Sequence, residues 1–147
     1  MATWGAFEAE VPEFASRVRA RLEAHRHRTI ATLRADGSPR ISGIECEIAD
    51  GELQFGSMWR GVKALDLLRD PRFALHSGTD EPEEWPGEAK VAGTVQAETR
   101  TSEHDGEQYH QFRADITEAV MVFLNDERTK LVVESWHEGR GLSRLER

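Results

Sequence analysis

Arg60 and Lys63 stand three residues apart at the point where an extended run, Leu53 to Ser57, gives way to an amphipathic one beginning at Val62. A helix that opens there leaves its first N–H groups without intrahelical partners, and these carry partial positive charge. Guanidinium, ammonium and unpaired N–H groups converging on one spot make an anion site suited to a phosphate monoester. On local pattern alone the same residues also suit a solvated helix start.

Other chemistry finds less support. Cys46 is the sole cysteine, so an intrachain disulfide and a multi-thiolate zinc site are excluded. Without an activating neighbour, Cys46 reads as a packed thiol. His25 and His27 sit at the end of the first helix, where a cation suits the helix dipole. His104 and His110 are six apart with no third ligand at a convincing spacing, and no metal site is assigned. His76, at a strand end, suits either the core edge or a ligand pocket. Glu45 and Glu47 flank Cys46 and share a face by the strand period, which reads as a solvated sheet surface. There is no Gly-x-Ser-x-Gly elbow and no Walker-type loop, so hydrolase and nucleotidase chemistry is not indicated. No catalytic residue is assigned.

The elements that must position the cationic turn follow from periodicity. Phe14, Val18 and Leu22 recur every four residues behind Pro12, predicting a helix to about Arg26; a shorter helical piece is expected over residues 3–10. Residues 29–34, 40–48 and 52–57 read as strands joined by Asp36-Gly37 and Asp50-Gly51, a strong antiparallel meander signal. Gly61 to Asp70 reads as a short helix ended by Pro71. Further strands are expected over 72–76, 89–99, 112–124 and 129–136, with a bulge at Gly93, a helical turn over 103–111 and an acidic loop over 78–87. The fold class is mainly β (α+β), a barrel of about six or seven antiparallel strands with an N-terminal helix and a short helix after the third strand. The 147 residues suit a single domain: a helical segment over 1–26, the barrel over 27–137 and a polar tail over 138–147.

The 38% apolar and 31% charged composition, with a net charge of −8, is that of a globular chain whose surface repels phosphate backbones and anionic lipids. Nucleic acid and membrane are therefore not expected partners. With no stretch near 18 apolar residues and no basic leader, the expected location is cytoplasmic.

The order strand, Asp-Gly turn, strand, turn, strand, cationic turn and amphipathic helix ending in Asp70-Pro71-Arg72 resembles the pyridoxamine 5′-phosphate oxidase-like FMN-binding split β-barrels. That superfamily includes flavin- and deazaflavin-dependent oxidoreductases. The similarity runs from about His27 to Thr99 and continues more weakly to Trp136. It implies that Arg40, Ile41, Ser42 and Gly43 lie along the flavin, and that Phe55, Gly56 and Ser57 approach its ribityl chain and phosphate. It further implies phosphate binding by Arg60 and Lys63, with Lys90 closing the site from the other subunit of a homodimer.

The implied cofactor is FMN, with the deazaflavin coenzyme F-420 as the alternative. The implied activity is hydride transfer to or from a small molecule, and the alternative is a non-catalytic flavin- or haem-binding sensor with His76 as a candidate axial ligand. The polyglutamyl tail of the deazaflavin calls for extra positive charge, which Arg17, Arg19 and Arg21 could supply. Arg60 and Lys63 are separated where the oxidases have adjacent basic residues, Glu88 stands where an amide is usual, and the oxidases' substrate-binding His near the C-terminus is not found. Vitamin B6 oxidase activity is accordingly not expected.

Overall fold

A computed structural model describes residues 2–147. Two helices lead the chain, α1 (Trp4–Glu10) and α2 (Pro12–Glu23). The Thr3 hydroxyl accepts from the Ala6 N–H to cap α1, and Pro12 opens α2 with its ring already at a helical φ. Phe14, Val18 and Leu22 are all buried along one stripe of α2, as their spacing requires. Phe7 packs against both Phe14 and Trp136, with ring centroids 6.1 and 4.9 Å apart. The helices thereby join the core cluster that fills the barrel.

Nine strands follow: β1 (Arg28–Leu33), β2 (Pro39–Ile44), β3 (Glu47–Ala49), β4 (Glu52–Met58), β5 (Arg72–His76), β6 (Glu88–Thr101), β7 (Gln108–Leu124), β8 (Leu131–His137) and β9 (Gly141–Glu146), with helix α3 (Val62–Arg69) between β4 and β5. All pairings are antiparallel, in the order β2-β1-β5-β6-β7-β4-β3, and β8 and β9 extend outward from β7. The 17-residue β7 makes the split: residues 109–113 pair with β4, residues 118–124 pair with β8, and β6 runs along its other edge. This is a split β-barrel with helical additions.

Several local expectations change. The strand expected over 40–48 is two, because Glu45 and Cys46 carry the chain from the β2 edge of the sheet to its β3 edge. Glu45 and Glu47 therefore do not lie on one strand; Glu45 pairs with Arg26 at 2.9 Å. The helical turn expected over 103–111 is a single one, closed by the Gly106 N–H donating to the Ser102 carbonyl at 2.9 Å, and β7 begins already at Gln108. The polar tail contains β9, whose backbone pairs with β8 from Val132 to His137. Its side chains gave little sign of this, being mostly exposed on both faces. The Gly93 bulge is present, with a register shift between Ala92 and Gly93.

Candidate functional site

β2, at one end of the sheet order, and β4, next to the other, line a common cleft with the start of α3. Met58, Trp59, Arg60 and Gly61 make a tight turn between β4 and α3, closed by the Gly61 N–H donating to the Met58 carbonyl at 3.0 Å. Arg60 adopts φ +56°, a left-handed conformation that costs a non-glycine residue about 1 kcal/mol. Gly61 is fixed by proximity: a Cβ there would lie 3.2 Å from the Met58 carbonyl oxygen and 3.3 Å from the Ser57 hydroxyl. No side chain caps α3, so the N–H groups of its first turn remain open to an anion.

A cleft of about 370 Å³ opens at this point, lined by Ser42 and Gly43 of β2, by Gly56, Ser57 and Met58 of β4, and by Gly61, Val62 and Lys63. The Lys63 ammonium donates to the Gly43 carbonyl at 2.6 Å, tying α3 to β2. Arg60 spreads its guanidinium 5.7 Å from the Trp59 ring centroid. No acidic side chain lines the cleft. Among the described residues Arg60, Lys63 and Lys90 have no carboxylate partner, a property they share with Arg28, Arg34, Arg113 and Arg128, whereas Arg17, Arg19, Arg21, Arg26, Arg40 and Arg72 each have one. In a chain with an excess of acids, the cleft is lined by Lys63 and by no carboxylate; Arg60 is exposed beside Trp59 and is not among the residues that line it.

The strand period divides the residues expected along the flavin. Ile41 and Gly43 point to the outer face of β2, while Arg40 and Ser42 turn toward α3. The Arg40 guanidinium donates to Asp66 at 2.7 Å, and Asp66 also accepts from Thr32 at 2.8 Å and Arg69 at 3.0 Å. Burial pushes the Asp66 carboxyl upward, but the hydrogen bonds from Arg40, Thr32 and Arg69 outweigh it and hold the group below the usual carboxylate range. Arg40 thus locks β2 onto α3. Phe55 lies in the core against Phe73 and Phe112, so its side chain cannot line the cleft, whereas its neighbours Gly56 and Ser57 do.

On the outer face, register aligns Gly43, Thr29, His76 and Lys90 in one row across four strands, and Ile41, Ala31, Ala74 and Ala92 in the next. Three inter-strand steps separate Gly43 from Lys90, about 14 Å. Much of this surface is small and apolar, with Ile41 76% exposed, and a shallow depression of about 330 Å³ lies over Ile41, Ala31, Ala74 and Lys90. His76 accepts from the Gly78 N–H at its Nδ1 (3.1 Å) and faces Glu88 with its Nε2 (3.5 Å). Nδ1 is thus occupied by a backbone donor, and Nε2 lies beside the Glu88 carboxylate.

His110 is the residue the sequence did not offer as part of this site. It is buried on β7, opposite Ser57, and its Nε2 accepts from the Arg60 N–H at 3.1 Å. Trp59 stacks on its ring at 4.5 Å and 13°. Fifty positions separate His110 from Arg60, and no local pattern links them. Among the described residues no cluster of three metal-ligating side chains exists. Cys46 accepts from the buried Arg28 guanidinium at 2.9 Å; burial nevertheless raises its thiol pKa, against the pull of Arg28.

No family model matches the sequence, and no curated protein sequence does either. Solved structures do match. A pyridoxamine 5′-phosphate oxidase-related, FMN-binding protein from Nostoc punctiforme superposes with a TM-score of 0.66 over 93% of this chain and 95% of its own, at 11% identity. PhzG from Burkholderia lata, solved with tetrahydrophenazine-1-carboxylic acid, gives a TM-score of 0.66 over 98% and 92% of the two chains, also at 11% identity. An F-420 reductase gives 0.50 over 63% and 87%, at 18% identity. At these identities the likeness is one of fold. The chain has the split-barrel fold of the pyridoxamine 5′-phosphate oxidase-like proteins, the architecture that its sequence resembles.

Proposed function

We propose that this chain binds FMN and serves as a flavin-dependent oxidoreductase, acting as a homodimer. The observation that carries this reading is that the acid-free cleft and the depression on the outer sheet face adjoin along β2, Gly43 lining the one and Ile41 the other. Arg60, Lys63 and the open first turn of α3 suit a dianionic phosphate. From Gly43 the exposed row leads across Thr29 and His76 to Lys90, beside the apolar row of Ile41, Ala31 and Ala74, a floor on which a planar ring can lie. The Lys90 ammonium at its far side offers a counter-charge to an anionic ring edge or substrate group.

When bound, the flavin supplies the hydride chemistry. The chain's own residues have narrower tasks. Arg60 and Lys63 hold the phosphate; Ser42, Gly43, Gly56 and Ser57 shape the passage leading from it; Arg40, through Asp66, keeps β2 in place against α3. One protomer covers only one side of an apolar face that carries Ile41 exposed. A second copy laid against it buries that face and excludes water from the ring, which favours a two-fold assembly. FMN is favoured over F-420 because Arg17, Arg19 and Arg21, the candidates for a polyanionic tail, are already paired with Glu13 and Glu134, Glu23, and Asp80.

Titration of the purified protein with FMN, followed by quenching of flavin fluorescence, tests the reading. Saturable binding is expected, and the double substitution Arg60→Ala with Lys63→Ala should weaken it about a hundredfold, near 3 kcal/mol for two charge-assisted contacts. Equal affinity in parent and double variant would place the phosphate elsewhere.

A further inference from the structure

His110 is a buried imidazole whose position beneath the cationic turn the phosphate cleft alone does not explain. Arg60 holds φ +56°, an uncommon conformation for a side-chain-bearing residue that Asp50 and Arg128 share. At Arg60 the turn has a long-range contact besides its own Gly61-to-Met58 bond: the Arg60 N–H donates 3.1 Å to the Nε2 of His110. Because that nitrogen accepts, the ring proton resides on Nδ1. The ring is held in place, since Trp59 stacks on it at 4.5 Å and Phe112 lies 6.2 Å away, inclined by 29°. β7 fixes its backbone between β4, where His110 is opposite Ser57, and β6, where it is opposite Thr99.

We propose that His110 is the positioning residue of the anion site: its Nε2 lone pair holds the Arg60 peptide in the left-handed turn that delivers the Arg60 side chain and the first N–H groups of α3 to one phosphate. This rests on the phosphate reading of the cleft. His110 touches no ligand itself. It acts through the Arg60 backbone, and the Trp59 stack holds the imidazole plane that aims the lone pair. A residue with a flat ring and no acceptor would preserve the packing and lose the turn; a residue with an acceptor at the same reach would keep the turn.

His110→Phe and His110→Gln separate these roles, because phenylalanine retains the stacked ring while glutamine carries an amide oxygen near the position of Nε2. Two readouts are taken on each variant and the parent: the hydrogen-exchange rate of the Arg60 amide, without ligand, and the dissociation constant for FMN. In His110→Phe the Arg60 amide should exchange about tenfold faster or more, and FMN should bind about tenfold more weakly. His110→Gln should return both to within about threefold of the parent. An unchanged Arg60 amide in His110→Phe, or a glutamine variant no better than the phenylalanine one, overturns the proposal.

Should the phenylalanine variant fail to fold, the ¹⁵N-labelled parent still decides. A scalar coupling across the hydrogen bond between the Arg60 amide nitrogen and the His110 Nε2 is required, and its absence sinks the idea. If the parent binds no FMN, the cofactor reading falls, while the Arg60 exchange rates still report whether His110 holds the turn.

Discussion

Asp66 shows how a single carboxylate organises the frame of the site. It is 2% exposed and accepts from Thr32, Arg40 and Arg69, so it joins β1, β2 and α3 at one point. Its folded-state pKa lies below the ordinary value. A group depressed in this direction contributes stability fully above its unfolded pKa, about 4, and that contribution is lost as pH falls through the lower folded value. Asp66→Asn should cost about 3 kcal/mol at neutral pH, because two guanidinium groups lose their shared anion, and should flatten the acid limb of a plot of urea midpoint against pH. Asp70 offers the contrast. Its carboxyl is brought down to about 2 by Arg72, but the pair lies at the surface, where solvent screens it. Asp70→Asn should leave the urea midpoint at neutral pH nearly unchanged.

At the level of elements, the geometry of the barrel depends on the β6–β7 ladder and on the bulge within it. A Cβ added at Gly93 would lie 1.9 Å from the Asp115 carbonyl oxygen, closer than any real contact allows. The bulge lets β7 serve β4 with one half and β8 with the other. Gly93→Ala should therefore destabilise by about 3 kcal/mol or more, measured by chemical denaturation, since the obstruction is backbone and not a movable side chain. Helix α3 has a different dependence. It is eight residues long and would be marginal in isolation. Its place is secured by buried Ala64, Asp66 and Leu67 and by the Lys63 bond to Gly43. The cleft is consequently as rigid as the contact between α3 and β2, and Asp66→Asn should weaken FMN binding as well as the fold.

For the whole molecule, the proposed dimer contact and the proposed cofactor floor share the outer face of β2, β1 and β5. Placing a carboxylate on it by Ile41→Glu buries an unpaired charge in the proposed two-fold contact, which costs several kcal/mol. Sedimentation equilibrium should find a dimer for the parent and a shift to monomer for the variant, with weaker FMN binding in the same samples. A parent that sediments as a monomer would remove the dimer from the reading. Among the described residues no helix is long and apolar enough to cross a membrane.

Residue order alone determined what short-range physics encodes. The Asp36-Gly37 and Asp50-Gly51 turns, the stripe of Phe14, Val18 and Leu22, the helix stopped by Pro71 and the Gly93 bulge each follow from dihedral preferences or from a period of 2 or 3.6 residues. The cationic turn was legible for the same reason, since Arg60, Gly61 and Lys63 are neighbours in the chain. What only the tertiary structure decided is everything that depends on which edges meet. The break of the second strand at Glu45 and Cys46 follows from the curl that brings opposite sheet edges together. β9 is made by backbone pairing with the edge of β8, which the tail's side chains do not encode. Arg40 turned away from the outer face because Asp66 waits on the α3 side. His110 came beneath Arg60 because β7 pairs with β4, a contact between residues fifty apart that no local preference announces.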